Sequence, residues 1–157
     1  HPLLGAPSLH ASIIAGGSEL SSYPDRCTVK VERRTLPGEP RHAAWLEAQD
    51  ILAQLERDDP EFEATTHPIF SRQAYEIAPS HALPDMLRTA ALSAGCTSTI
   101  AGVTYWSDAA ILGAAGIPSV LFGPGGAGLH SLEEHVRLDD VLLCRDALVA
   151  LAHRFTQ

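Results

Sequence analysis

The order of apolar and polar positions predicts strand, strand, helix and strand in the first half of the chain. Residues 9–15 (LHASIIA) form the first predicted strand, which a glycine pair then ends or bulges. Residues 27–36 alternate between apolar and polar side chains, as a half-buried antiparallel strand does. Residues 41–57 place apolar side chains at helical spacing. Residues 62–70 predict a third strand, which Pro68 weakens.

The second half alternates helical patterns with short apolar runs. Helices are predicted over residues 83–94, over residues 108–115 and from residue 139 or 140 onward. Residues 117–122 suit a buried parallel strand, and residues 98–102 are compatible with another. The first helix has an apolar face made of Met86, Leu87, Ala90 and Ala91. The last helix is expected to pack inward through Val141, Leu142, Leu148, Val149, Leu151 and Ala152.

The helix over residues 108–115 carries recognisable signals at both ends. Ser107 is the expected N-cap, and the negative charge of Asp108 suits the positive end of the helix dipole. Gly116 stands at the C-terminal cap position and Pro118 follows it. The two halves thus predict an α+β unit over residues 1–77 and an α/β unit over residues 78–157.

Composition and charge narrow the class of protein. The formal net charge is −8, which argues against nonspecific binding to nucleic acid or to an anionic membrane. No apolar run approaches the roughly 20 residues that span a bilayer, and no signal-peptide pattern is present. The three cysteines, Cys27, Cys96 and Cys144, form no CxxC pair, so buried free thiols and a cytoplasmic setting are expected. The chain begins at His1 and resembles a piece of a longer protein.

The stretch over residues 121–136 (LFGPGGAGLHSLEEHV) is the strongest candidate for chemistry. Its glycines let the backbone approach a ligand closely, and ligands of α/β sheets bind beyond the carboxyl ends of the strands. His130 leaves this loop, and imidazole is the commonest metal ligand in proteins. Glu133 and Glu134 are candidates to orient its second nitrogen. A surface histidine after a flexible loop is the plain alternative.

Two segments resemble the co-catalytic zinc hydrolases that include acetylornithine deacetylase, succinyl-diaminopimelate desuccinylase, aminoacylase and glutamate carboxypeptidase. The C-terminal segment shows Ser-Asp, Gly-Ile-Pro, an apolar run, Gly-Pro-Gly and His-Ser before Glu, in that family's order. In the first half, IIAGGSELSSYPDRCTVKVERRTLPGE resembles the family's lid domain. The resemblance implies the C-terminal part of an αβα sandwich, preceded by a truncated ferredoxin-like lid that forms a homodimer in the complete protein.

The resemblance also implies roles for single residues. Arg34 matches the arginine that holds the substrate carboxylate, and its planar fork suits that task. Arg33, one position away, must face the other side of the strand. Ser21 stands where the family has a substrate-binding asparagine. The metal ligand is His130. Further substrate contacts fall on Ser107, Asp108, Gly125 and Gly126, although helix capping explains the first two equally well.

The family's remaining metal ligands and its carboxylate base have no counterpart here, so no catalytic residue is assigned. The resemblance implies two zinc ions in the complete site, with cobalt or manganese as alternatives, because one histidine does not select the metal. Two functions remain open. One is the C-terminal portion of a metal-dependent amidohydrolase or metallopeptidase that cleaves N-acyl amino acids or small peptides bearing a carboxylate. The other is a truncated, non-catalytic module that dimerises or binds carboxylates.

Overall fold

The computed structural model of the protein describes residues 1–155 and mixes helices with strands. The chain forms two compact units, one made of His1–Ala74 with Val103–Trp106, the other made of Tyr75–Gly102 and the residues from Ser107 onward. Their assignment as a lid and a catalytic segment stays a prediction. The elements, in order, are β1 (Ser8–Gly16), β2 (Cys27–Arg34), α1 (Ala43–Asp58), α2 (Ala82–Ser93), α3 (Ala109–Ala114), β3 (Gly126–Ala127), β4 (His135–Val136) and α4 (Leu138–Phe155).

An antiparallel ribbon of β1 and β2 dominates the first unit. Ser8 lies opposite Arg34 and Gly16 opposite Cys27, with a register shift between Ala11 and Ile13. Both strands and the helix α1 that follows them were predicted within a few residues. The expected half-burial of β2 is wrong, because only Arg33 in this strand is not exposed. Alternating apolar residues give the strand one apolar face. Nothing in the described part of this unit packs against that face.

Three predicted strands do not form. Residues 62–70, 98–102 and 117–122 make no ladder in the described chain. The physical reason is that a strand needs a partner, since its backbone groups are satisfied only by a neighbouring strand. Pro68 in addition removes one ladder donor from the first segment. The apolar segment over 117–122, predicted to be buried, is partly exposed, with Ile117 at 52% and Leu121 at 49%.

The core of the second unit lies between α2 and α4. The buried apolar side chains among the described residues are Leu87, Ala90, Ala91, Cys144 and Ala147. The prediction for α2 is confirmed at three of its four positions. Of the inward set predicted for α4, only Leu151 is half-buried and the others are exposed, because the buried residues of this helix are the small Cys144 and Ala147. Small side chains let helices approach closely, so the larger apolar residues of α4 stay at the edge of the contact or in solvent.

Both α2 and α3 end in the same glycine-dependent motif. In α3, the N–H of Ile117 bonds the carbonyl of Leu112 and that of Gly116 bonds Gly113, which is a Schellman motif. Gly116 has φ +78°, a conformation that glycine adopts without a Cβ penalty. The predicted stop signal is therefore confirmed, with the glycine one position beyond the C-cap Ala115.

The three cysteines differ in environment. All are free thiols, as expected, but only Cys144 is buried, whereas Cys96 is half-buried and Cys27 is exposed. The prediction of three buried thiols is therefore wrong for two of them. Burial raises the pKa of the Cys144 thiol, with smaller contributions from Cys96 and Asp140. None of the described helices is long and apolar enough to cross a membrane.

Candidate functional site

Arg34 stands at the last position of β2 with its guanidinium partly open to solvent. Its Nε donates to Oε1 of Glu32 at 2.8 Å, and its Nη1 donates to the carbonyl of Thr104 at 2.8 Å. Glu32 lies two residues earlier and therefore shares a strand face with Arg34. Neither contact uses Nη2, and the side chain is 43% exposed. The group is oriented by the protein yet keeps donors for a ligand.

Arg33 faces the other way and is used by the fold itself. Its Nη1 donates to Oε2 of Glu39 at 2.6 Å, and its Nε pairs with Oε2 of Glu47 on α1 at 3.0 Å. The side chain is only 17% exposed. The two-residue period of a strand separates these adjacent arginines. One is committed to ion pairs, and the other remains available for a ligand.

The turn after β2 contains a residue that sequence reasoning overlooked. The N–H of Glu39 bonds the carbonyl of Leu36 at 3.2 Å, with Pro37 and Gly38 between them and φ +88° at the glycine. This arrangement is a type II turn. Oε1 of Glu39 returns to accept the N–H of Leu36 at 2.6 Å. These bonds, from Leu36 first and Arg33 second, hold the pKa of Glu39 below its ordinary value.

Ser21, the other site residue predicted in this unit, is not brought near Arg34. It lies exposed in the loop that joins β1 to β2, at the end of the ribbon opposite to Arg34. Strands rise about 3.3 Å per residue, so the eight-residue strand β2 separates its two ends by roughly 25 Å. In one copy of this unit, the two side chains therefore do not share a small ligand. The sequence already placed Ser21 between the two predicted strands, but only their antiparallel pairing fixes its distance from Arg34.

Ser107 and Asp108 precede α3 without capping it by their side chains. Asp108 is the N-cap residue but already has helical backbone angles, φ −62° and ψ −16°, and makes no side-chain cap bond. The carbonyls of Ser107 and Asp108 accept the first helical N–H groups instead. The predicted Ser107 cap is thus wrong, because a side-chain cap requires an extended residue at that position. Asp108 is exposed and Ser107 is half-buried.

Gly125 and Gly126 lie where the chain passes close to the segment that leads into α4. Gly126 pairs with Val136 in the short β3–β4 ladder, and a Cβ on it would collide with the carbonyl of His135. A Cβ on Gly125 would stand 2.9 Å from Oδ2 of Asp140. Close backbone approach therefore requires glycine at Gly126, whereas beside Gly125 the neighbour is the end of the Asp140 side chain. Their predicted role as amide donors to substrate stays a prediction.

His130 occupies a strained position in the loop that this ladder closes. The N–H of Ser131 bonds the carbonyl of Gly128 at 2.7 Å, and His130, the third residue of that turn, has φ +63°. Among the residues that the structure describes, it is the only non-glycine residue with positive φ. Its backbone N–H donates to Oε2 of Glu134 at 3.1 Å. Glu134 thus supports the backbone, whereas support of the imidazole had been expected.

A metal ion would need more ligands than this loop provides. Within residues 1–155, no group of three or more His, Cys, Asp or Glu side chains is arranged to hold one. His130 is exposed, and His135 contacts the carbonyl of Glu133 through Nδ1 at 2.8 Å. The described residues by themselves therefore do not fit a complete metal centre. They provide one imidazole, that of His130, on a turn closed by hydrogen bonds.

Comparisons with known proteins identify relatives of the chain. The sequence model of Peptidase family M20/M25/M40 matches residues 6–154. The chain is also similar to acetylornithine deacetylase from Myxococcus xanthus, with 27% identity over 148 residues, which is 93% of this chain and 38% of that protein. The chain thus spans well under half the length of this curated relative.

Proposed function

The chain belongs to Peptidase family M20/M25/M40, and from this premise we propose that it forms the C-terminal portion of a metal-dependent amidohydrolase. The proposed reaction is hydrolysis of the amide bond of N-acyl amino acids or of small peptides with a free carboxylate. The printed name of the relative, a deacetylase, supports the deacylase class. The complete protein would dimerise through the unit that contains β1 and β2.

The observation that carries this proposal is the conformation of His130. A non-glycine residue in the left-handed region costs about 1–3 kcal/mol, and such strain concentrates at functional sites. Here the strain falls on an exposed histidine whose backbone is tied to Glu134. A loop selected only for stability would favour glycine at this position. The presence of an imidazole in this conformation therefore supports a ligand role.

Arg34 supplies the second element of the proposal, a binding group for the substrate carboxylate. A guanidinium pairs with a carboxylate through two parallel hydrogen bonds, which fixes orientation as well as position. The contacts of Arg34 with Glu32 and Thr104 hold the group without exhausting its donors. A substrate bound here would present its amide from a defined direction.

The described residues do not complete a metal centre. In the proposal, His130 contributes one ligand, and the other ligands come from residues beyond this chain. Zinc is the metal that the family resemblance implies, with cobalt or manganese as alternatives. Two ions are expected in the complete site.

A second function follows from the same incomplete ligand set. The chain can act as a non-catalytic module that binds carboxylates or dimerises. Within the described residues, the lack of a three-ligand cluster favours this alternative. It predicts carboxylate binding without metal and without turnover.

The deciding experiment assays the complete natural protein that carries this chain with N-acetyl amino acids. Metal-dependent release of acetate, abolished by a chelator and lost when the substrate carboxylate is amidated, is expected. The purified 157-residue chain should show no amidase activity, because it offers one recognisable metal ligand. Chelator-sensitive turnover by that chain alone would show that it holds ligands assigned here to other residues. Carboxylate binding by the complete protein without any hydrolysis would favour the non-catalytic module.

A further inference from the structure

One carboxylate contacts a residue on each side of Arg34, through the side chain of Arg33 and the backbone N–H of Leu36. Oε2 of Glu39 accepts a hydrogen bond from Nη1 of Arg33, and its Oε1 accepts one from the backbone N–H of Leu36, each at 2.6 Å. Arg33 is the residue before Arg34, and Leu36 lies just after it in the turn. The Glu39 side chain therefore bridges the end of β2 and the turn that follows.

The turn itself resists movement. Pro37 fixes its own φ, and Gly38 takes the positive φ that a type II turn requires at that position. The N–H of Glu39 closes the turn onto the carbonyl of Leu36. Leu36 and Glu39 thus exchange two bonds, one through the backbone and one through the side chain. The chain that leaves Arg34 therefore enters a turn held by two bonds, which limits the movement of the backbone beside it.

Burial and charge make this bridge stronger than an ordinary surface ion pair. The side chains of Arg33 and Glu39 are only 17% and 21% exposed. Charge-assisted hydrogen bonds are shorter and stronger than neutral ones, and partial burial reduces their screening by solvent. Glu47 on α1 also pairs with Arg33, but it does not reach the turn. Glu39, unlike Glu47, contacts both Arg33 and Leu36.

We propose that Glu39 is a positioning residue for Arg34 and sets the direction from which the guanidinium meets a substrate carboxylate. This inference rests on the proposed function, because it takes Arg34 as the carboxylate-binding group. Bidentate pairing tolerates little misalignment, and a small displacement of a binding group costs affinity. Glu39 does not touch the ligand in this mechanism and acts through the backbone of Arg34.

The experiment measures carboxylate binding at Arg34 without relying on turnover. The complete protein is treated with phenylglyoxal, which modifies arginine, at increasing concentrations of N-acetylglycine, and modification of Arg34 is read by peptide mass spectrometry. Glu39→Gln keeps an acceptor for Leu36 but loses the charged bond to Arg33. The half-protecting concentration is the concentration of N-acetylglycine that halves the modification of Arg34. In Glu39→Gln it should rise about tenfold, which is the lower end of what a bond to a charged group contributes. KM for N-acetyl amino acids should rise in parallel, with kcat changed less than about twofold.

Three variants separate positioning from general stability. Glu47→Gln removes the other partner of Arg33 but leaves Glu39 in place, so half-protection should stay within about twofold. Glu56→Gln makes the same chemical change at an exposed position of α1 and should leave protection unchanged. Glu39→Asp keeps the charge but is one methylene shorter, so it should weaken protection as Glu39→Gln does. This variant also provides the test if the glutamine variant fails to fold.

The outcomes distinguish this inference from the proposed function. If Glu39→Gln lowers Tm but leaves the half-protecting concentration unchanged, Glu39 is only structural and the inference is wrong. An equal effect of Glu47→Gln, or a lack of Arg34 protection in the unsubstituted protein, would also overturn it. Protection that shifts as expected in a protein that hydrolyses no amide would instead refute the hydrolase and leave the positioning role standing.

Discussion

Replacing His130 with glycine should stabilise the fold while it removes the proposed metal ligand. The residue has φ +63°, and glycine adopts this conformation without steric cost. The hydrogen bond from its N–H to Glu134 belongs to the backbone and survives the substitution. The imidazole is exposed, so little packing is lost. In His130→Gly, the stability of the fold is therefore expected to rise while the hydrolytic activity of the complete protein falls.

The size of the gain follows from two opposing terms. The left-handed conformation costs a non-glycine residue about 1–2 kcal/mol. Glycine increases the entropy of the unfolded chain, which opposes folding by about 0.4–1 kcal/mol. At their middle values these terms leave a net stabilisation of about 0.8 kcal/mol, which corresponds to an increase of roughly 2–3 °C in Tm for a domain of this size. His130→Ala keeps the strain and should leave Tm nearly unchanged.

Thermal unfolding followed by circular dichroism measures the shift, and hydrolysis by the complete protein measures the chemistry. His135→Gly is the matched control, because His135 lies in β4, where glycine costs about 0.5–1 kcal/mol. The two histidine-to-glycine changes should therefore shift Tm in opposite directions. A fall in Tm of more than about 2 °C for His130→Gly, or full activity in that variant, would refute the reasoning.

Three further predictions address binding, packing and pH. Arg34→Ala in the complete protein should raise KM for carboxylate substrates about 10- to 100-fold, with partial rescue by lysine. Steady-state kinetics measure this, and a larger effect at the preceding arginine would contradict the assigned register. Gly113→Ala should lower the free energy of unfolding in urea by about 1–3 kcal/mol, since its Cβ would collide with the Tyr75 ring, whose Cζ would lie at 2.8 Å. The control, Gly123→Ala, places its Cβ in open space and should leave this free energy unchanged. Because the pKa of Glu39 is lowered in the folded state, its stabilisation should be full above its ordinary value of 4.5 and decline as pH falls through the folded value. If Glu39→Gln lowered the free energy of unfolding equally at about pH 3 and at about pH 7, this assignment would be contradicted.

Local patterns were sufficient to predict the helices and the first two strands. The periodicity around α2 identified Leu87, Ala90 and Ala91 as its buried face, because every residue of a helix bonds within its own segment. Glycine at Gly116 identified the end of α3 for the same local reason. Period 2 also predicted that Arg33 and Arg34 face opposite sides of β2.

Contacts between distant segments decided the rest. The segment over 117–122 has the composition of a buried strand, but a strand requires partners that the described chain does not provide. Ser21 and Arg34 lie close along the sequence, yet the ribbon places them at opposite ends. The sequence alone determined which residue types are available for chemistry, including Arg34 and His130. The bonds that hold the Glu39 turn and the left-handed turn at His130 join residues only three to six positions apart, yet the structure was needed to find them, because the sequence does not show which side chain closes each turn.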